Sequence, residues 1–156
     1  MNEHMDNPQR LYVQSHSSTR LDAQWVVGFT DGEGCFYVGI NPHPDMTAGF
    51  QVLPEFTIVQ HKHDIKLLYA IKSFFGCGVV RVNHDDRMAY RVRSVEHLGK
   101  IIVPFFANYP LRSIKNVDFI RFRRVIELIN KGEHLKPEGI EKIRAITMLM
   151  NRGKER

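Results

Sequence analysis

The change of hydrophobic period across residues 22–41 restricts this chain more than any other feature. From Asp22 to Thr30, Trp25, Val26, Val27 and Phe29 cluster as they do on a short helix. From Cys35 to Asn41, Phe36, Val38 and Ile40 alternate with Tyr37, Gly39 and Asn41, the period of a half-buried strand. Between them stands Asp31-Gly32-Glu33-Gly34, and two glycines in three positions read as a sharp turn that stops the helix. Upstream, Thr19-Arg20-Leu21-Asp22 fits a capping box, with Asp22 as an acidic third residue facing the helix's first N–H groups.

The same reading carries on down the chain. A second strand spans about 50–60, with Val52, Phe56 and Ile58 on one face and Gln51, Leu53, Glu55 and Thr57 on the other. Pro54 within it points to a bulge or an edge position, since proline has no N–H for a ladder. Residues 64–75 form an amphipathic helix closed by Gly76. Residues 79–83 and 88–93 form a hairpin across 84–87. Ser94 caps a helix reaching Phe106, and two more helices span 117–131 and 137–151. The fold class is α+β: a four-stranded antiparallel sheet with helices packed on one face. Residues 1–18 read as a mobile polar arm, 19–151 as one domain and 152–156 as a basic tail.

Composition removes whole classes. The chain has 156 residues with two cysteines, too few for a disulfide framework or a cysteine zinc site. The apolar run 101–107 falls far short of the ~20 residues of a membrane span, and the first 20 residues show no secretory pattern. No membrane and no small-molecule cofactor are expected. Lys and Arg number 22 against 17 Asp and Glu, a net charge of +5 that favours polyanionic partners. The arrangement of these charges says more than their sum. With Val79, Val80 and Val82 buried, Arg81 and Asn83 face outward; with Tyr90 and Val92 buried, so do Arg91 and Arg93. Tyr37, Asn41, Gln51, Glu55 and Thr57 join the same open face. These side chains suit hydrogen bonds to base edges and phosphates.

The stretch Val26-Val27-Gly28-Phe29-Thr30-Asp31-Gly32-Glu33-Gly34 resembles the signature of the LAGLIDADG homing endonucleases. The likeness lies in the small residue at Gly28, the acids at Asp31 and Glu33 and the glycine that follows. The element order extends it over about residues 19–130. Glu33 stands where the family most often has Asp, so its carboxylate sits on a longer stem.

The resemblance implies a homodimer in which the Trp25, Gly28 and Phe29 surface of one motif helix meets its copy about a two-fold axis. Both Glu33 carboxylates then lie at the centre, where they repel unless a cation separates them. Mg²⁺, with Mn²⁺ or Ca²⁺ able to occupy the same sites, suits oxygen ligands from Glu33 and the Gly32 carbonyl. Gln60 matches a polar residue that arranges solvent near the metals, and Lys115 a basic residue approaching the scissile phosphate, with Arg112 as its competitor. Asp31 is assigned to helix termination and local hydrogen bonding.

The implied activity is metal-dependent cleavage of both strands of a long, pseudo-palindromic double-stranded DNA target, in intron homing. The sheet lies in the major groove, and cleavage across the central minor groove leaves 3′ overhangs. The rival is a maturase that binds intron RNA without cutting DNA. A transcription factor on this scaffold would bring an appended helix-turn-helix, for which 156 residues leave no room. Location follows the encoding genome: chloroplast, mitochondrion, or bacterial or archaeal cytoplasm. His61 and His63 share a strand face but lack a third zinc ligand, so phosphate contact or exposure is expected there. Cys35 and Cys77 read as reduced core fillers, and Arg121, Arg123 and Arg124 as solvated or phosphate-facing.

Overall fold

A computed structural model describes residues 20–151 of the chain. The mobile arm over 1–18, Thr19 of the capping box and the basic tail over 152–156 lie outside the described residues. Helix α1 (Ala23–Glu33) leads into β1 (Gly34–Pro42) and β2 (Phe50–His61). A 3₁₀ turn then opens α2 (Ile65–Phe75), followed by β3 (Val79–His84) and β4 (Arg87–Val92). Helix α3 runs through three segments, Val95–His97, a π turn at Leu98–Ile102, and Val103–Asn108. Helices α4 (Lys115–Asn130) and α5 (Pro137–Thr147) complete the described chain.

Among the described residues, four strands form one antiparallel sheet in the order β1-β2-β4-β3. Its covered face is aromatic. Phe36 and Phe56 stack with ring centroids 5.1 Å apart, and Phe106, Phe119 and Phe122 of α3 and α4 close over Phe36. Phe36, Phe56, Ile58, Tyr90, Leu98, Phe106 and Phe122 are fully buried, a continuous core of the kind that dominates folding energy. The Tyr90 hydroxyl donates to the Cys77 carbonyl at 2.9 Å, so the largest polar group in this core has its partner. Cys77 is buried and Cys35 half-buried, as expected of small fillers.

Several local expectations change. Asp22 is the N-cap itself, accepting from the backbone N–H of Gln24 at 2.8 Å and of Trp25 at 3.3 Å, so the helix begins three positions later than a capping box opening at Thr19 would place it. Helix α1 does not stop at Thr30: it runs through Asp31 and Gly32 to Glu33. None of Gly28, Gly32 and Gly34 has positive φ, so no left-handed turn forms there. The glycine at 34 answers to space instead. A Cβ there would lie 2.6 Å from Thr30 Cγ2 and 2.9 Å from the Thr30 carbonyl oxygen. By contrast Gly76 is a left-handed cap, as α2's pattern required.

The third strand is the other correction. Val79 is 49% and Val82 65% exposed, and only Val80 is half-buried. β3 is an edge strand of the sheet. Period two puts Val79 on the face of Arg81, so three valines could not share one side. Pro54 sits where the sequence placed it. β4 pairs with β2 only from Phe56 onward, so Pro54 has β1 on one side and no ladder on the other.

Candidate active site and nucleic-acid interface

The end of α1 collects the chemistry. Its apolar side, Val26, Val27 and Thr30, is buried against the sheet. The opposite side carries Trp25, Gly28 and Gly32, all exposed and spaced so as to share one helix face. At Gly28 and Gly32 a Cβ would meet no heavy atom within 4 Å, so this face is open space. Trp25 stacks on Phe29 with centroids 4.9 Å apart, beside the glycines. Phe29 itself is half-buried against the core rather than freely presented.

Glu33 closes the helix. It is exposed, and among the described residues no hydrogen bond or ion pair engages its carboxylate. The Thr30 carbonyl accepts from the Gly34 N–H, and because α1 ends here its last carbonyls present partial negative charge. Lys115, in the first turn of α4, answers that charge. Its Nζ donates to the carbonyl oxygens of Thr30 at 2.9 Å and Asp31 at 3.0 Å. A cation is thereby fixed within the last turn that bears Glu33.

Asp31 holds the segment before α4 in place. Its carboxylate accepts from the backbone N–H of Arg112 at 2.9 Å, the backbone N–H of Ser113 at 3.1 Å and the Ser113 hydroxyl at 2.6 Å. Partial burial opposes its ionisation. The Ser113 hydroxyl, the two backbone donors and the nearby Lys115 charge outweigh that burial and hold the carboxyl below the ordinary range. So Asp31, the first acid of the motif, does bond rather than stand free, but to residues more than eighty positions away, not locally. Spacing in a single sequence carries no signal for that tie.

Gln60 lies at the same end of the sheet. Gly34 pairs with Ile58, so Gln60 extends past the α1–β1 junction on the strand face that Ile58 shares. Arg112 contributes its backbone N–H to Asp31, and its side chain is exposed. His61 and His63 lie beyond, rings 4.3 Å apart, with the His63 N–H donating to His61 Nδ1 at 3.1 Å. Among the described residues no three His, Cys, Asp or Glu side chains converge on one point.

The uncovered sheet face matches the sequence-predicted row. Tyr37, Asn41, Arg81, Asn83 and Arg93 are exposed, and Gln51, Glu55, Thr57 and Arg91 are half-buried. Leu53, 40% exposed, and Val79 join them, so the face is more apolar than its polar residues suggest. Glu55 is the surprise. Arg93 Nε donates to its Oε2 at 2.6 Å and Arg91 Nε lies 3.5 Å from its Oε1. The Arg121 guanidinium donates to the Leu149 carbonyl at 2.8 Å, and Arg123 and Arg124 pair with Glu127. These three arginines are therefore tied within the helical layer.

A short helix with a glycine face and a terminal acid, leading into a twisted four-stranded sheet with one bare side, defines the homing-endonuclease fold. The family model of the LAGLIDADG endonuclease matches residues 26–126, and the chain belongs to that family. It is similar to the crystal structure of a homing endonuclease, I-TnaI: 56% identity, TM-score 0.83, covering 86% of this chain and 91% of that one. It is also similar to I-SmaMI bound to an uncleaved DNA target in the presence of calcium ions. There the identity is 37% and the TM-score 0.83, over 84% of this chain and 45% of that one. Among curated proteins, the probable intron-encoded endonuclease 3 of Neurospora crassa is 32% identical over 142 residues, 89% of this chain. The chain spans only about a quarter of the length of such curated relatives, 27% and 26% for two of them.

Proposed function

We propose that this chain is a site-specific DNA endonuclease that cuts both strands of a pseudo-palindromic duplex, two copies pairing through α1. The observation that carries the reading is the end of α1: an exposed Glu33, a lysine ammonium on the adjacent carbonyls, and an open glycine face alongside. A helix face without Cβ atoms lets a second backbone approach closely. Two such faces apposed about a two-fold axis bring both Glu33 residues to the shared centre, one for each strand to be cut.

The donor chemistry fits a hard divalent ion. Glu33 offers carboxylate oxygens and Gly32 a carbonyl from the last helical turn, and both residues are exposed. Mg²⁺ binds through one or two carboxylates and fills its remaining positions with water and phosphate, so no all-protein cage is needed. When bound, such an ion stabilises charge on the phosphate and makes a water nucleophilic; Mn²⁺ or Ca²⁺ would suit the same oxygens. Lys115 supplies a fixed positive charge beside the leaving or attacked oxygen, and Gln60 orders solvent at the sheet end. DNA itself lies along the bare sheet face, read by Arg81, Arg91, Arg93, Asn83, Asn41, Gln51, Thr57 and Tyr37. The calcium- and DNA-bound I-SmaMI structure, of the same fold, supports both the metal and the duplex.

Intron-encoded relatives support a homing role, with the protein acting in the compartment whose genome encodes it. The test is selection for cleavage from a randomised duplex library, with and without Mg²⁺. Recovery of one pseudo-palindromic family of cut sites, only with metal, is expected. Metal-independent RNA binding with no cut duplex at any metal concentration would overturn the reading in favour of a maturase.

A further inference from the structure

Glu55 stands in the DNA-facing row, yet its oxygens are already engaged. By register it lies directly across from Arg93 and diagonally from Arg91, since Phe56 pairs with Val92 and Thr57 with Arg91. Its side chain is 15% exposed and that of Arg91 16%, while Arg93 remains 58% exposed. Arg93 donates its Nε N–H to the carboxylate, whereas the Arg91 Nε is buried facing it at 3.5 Å, an ion pair without a hydrogen bond. Among the described residues no terminal Nη of either one makes a hydrogen bond. Beside them a cleft of about 290 Å³ is lined by Arg81, Arg91, Arg93, Ser94 and His97.

We infer that Glu55 is a positioning and specificity-determining residue: it holds Arg91 and Arg93 side-on so that their Nη groups present a fixed fork to base edges. An arginine free in solvent samples many rotamers, and a phosphate can satisfy any of them. A guanidinium whose Nε edge is held, by a hydrogen bond at Arg93 and by charge and burial at Arg91, keeps its planar Nη pair for bidentate contact, the geometry that distinguishes guanine. The carboxylate also offsets part of the positive charge of this face, which lowers attraction to any duplex regardless of sequence. Glu55 thus sharpens the difference between right and wrong sequences without touching a base. This inference rests on the sheet-face reading above.

The experiment measures base preference at each target position by binding selection from a randomised duplex library. It compares wild type, Glu55→Gln, Glu55→Asp, Arg91→Ala and Arg93→Ala, and adds affinity for one fixed mixed-sequence duplex and thermal unfolding. Loss of a bidentate contact removes roughly five- to a hundredfold discrimination. Glu55→Gln is expected to flatten preference at least fivefold at the positions flattened by Arg91→Ala or Arg93→Ala, and nowhere else. Its affinity for the mixed-sequence duplex should rise at least twofold, and Glu55→Asp should recover part of the preference. A purely structural role would instead lower the unfolding temperature and weaken both duplexes alike, overturning the inference. Lost preference at a position insensitive to both arginines would make Glu55 a direct base contact, and also overturn it. If Glu55→Gln keeps full preference where the arginine variants lose it, the positioning role fails while the sheet-face reading stands. If neither arginine variant changes preference anywhere, the sheet-face reading itself fails, and the inference with it.

Discussion

Gly32 and Gly34 are two residues apart, and replacing each by alanine should act in opposite directions. At Gly32 a Cβ enters open space on an exposed helix face. Alanine there relieves the backbone entropy of a helical glycine, a gain of about 1 kcal/mol. In a domain of this size that raises the unfolding temperature by about 2–4 °C. At Gly34 the same methyl meets Thr30 Cγ2 at 2.6 Å and the Thr30 carbonyl oxygen at 2.9 Å. Backbone φ is −78° there, so alanine is conformationally welcome and the whole penalty is steric, about 1–3 kcal/mol. Thermal unfolding over a dilution series, with sedimentation of each variant, separates folding from assembly. Gly32→Ala should unfold at higher temperature when dilute and associate at least tenfold more weakly, because the added methyl stands in the proposed seam between helices. Lower stability of the dilute variant would refute the open-face geometry. Higher stability with unchanged association would refute the pairing of helices through this face.

Three further substitutions test the end of α1. Asp31→Asn should lose about 1–2 kcal/mol at pH 7, because three hydrogen bonds to the 112–113 segment are weakened where solvent still reaches them. Its carboxyl is held below the ordinary range when folded, so this stability is full above the unfolded value near 3.9 and is lost as pH falls below it. Urea midpoints of wild type and variant should therefore draw together as pH falls below about 3.9, and a gap unchanged from pH 7 down through that range would exclude an ionised Asp31 as the cause. Lys115→Met removes two hydrogen bonds and a cation from the helix end, with about 1 kcal/mol lost and cleavage reduced by roughly 10² or more. Cleavage within threefold of wild type would leave Lys115 as a helix cap alone. Thr30 is fully buried and its hydroxyl lacks a partner, so Thr30→Val should be neutral or stabilising by about 1 kcal/mol in thermal unfolding; a loss above 1 kcal/mol would show that the hydroxyl is satisfied in solution.

Much of this architecture was legible because its determinants are periodic. Phe36, Val38 and Ile40 against Tyr37 and Asn41 gave the faces of β1, and Gly76 gave the end of α2, each from local steric rules. Where the reading failed, the missing information was tertiary. Glycines at 32 and 34 look like a turn in any local scheme. Only the packing of Thr30 against β1 shows that one serves an open helix face and the other a close approach. Val79 and Val82 look like core; period two already puts Val79 on the face of Arg81, whereas only β3's place at the sheet edge exposes Val82. The candidate site could be proposed from its motif residues, Gly28 and Glu33, whereas the links around it join α1 to residues 112–115 and Glu55 to two arginines in and just past β4. Such links depend on how distant segments pack, which no spacing within one sequence encodes.

In the proposed function the Glu33 carboxylate at the end of α1 carries cleavage while the sheet face carries binding. Glu33→Gln keeps the shape of that side chain and removes the charge that suits a divalent ion. Wild type and variant should be compared side by side on one selected duplex, by cleavage in Mg²⁺ and by gel shift. Cleavage should fall by 10³ or more, with binding retained or tightened, since each chain presents one fewer negative charge to the phosphates. Cutting at the wild-type rate by Glu33→Gln would contradict the assignment, and the reactive carboxylate would have to be sought at Asp31.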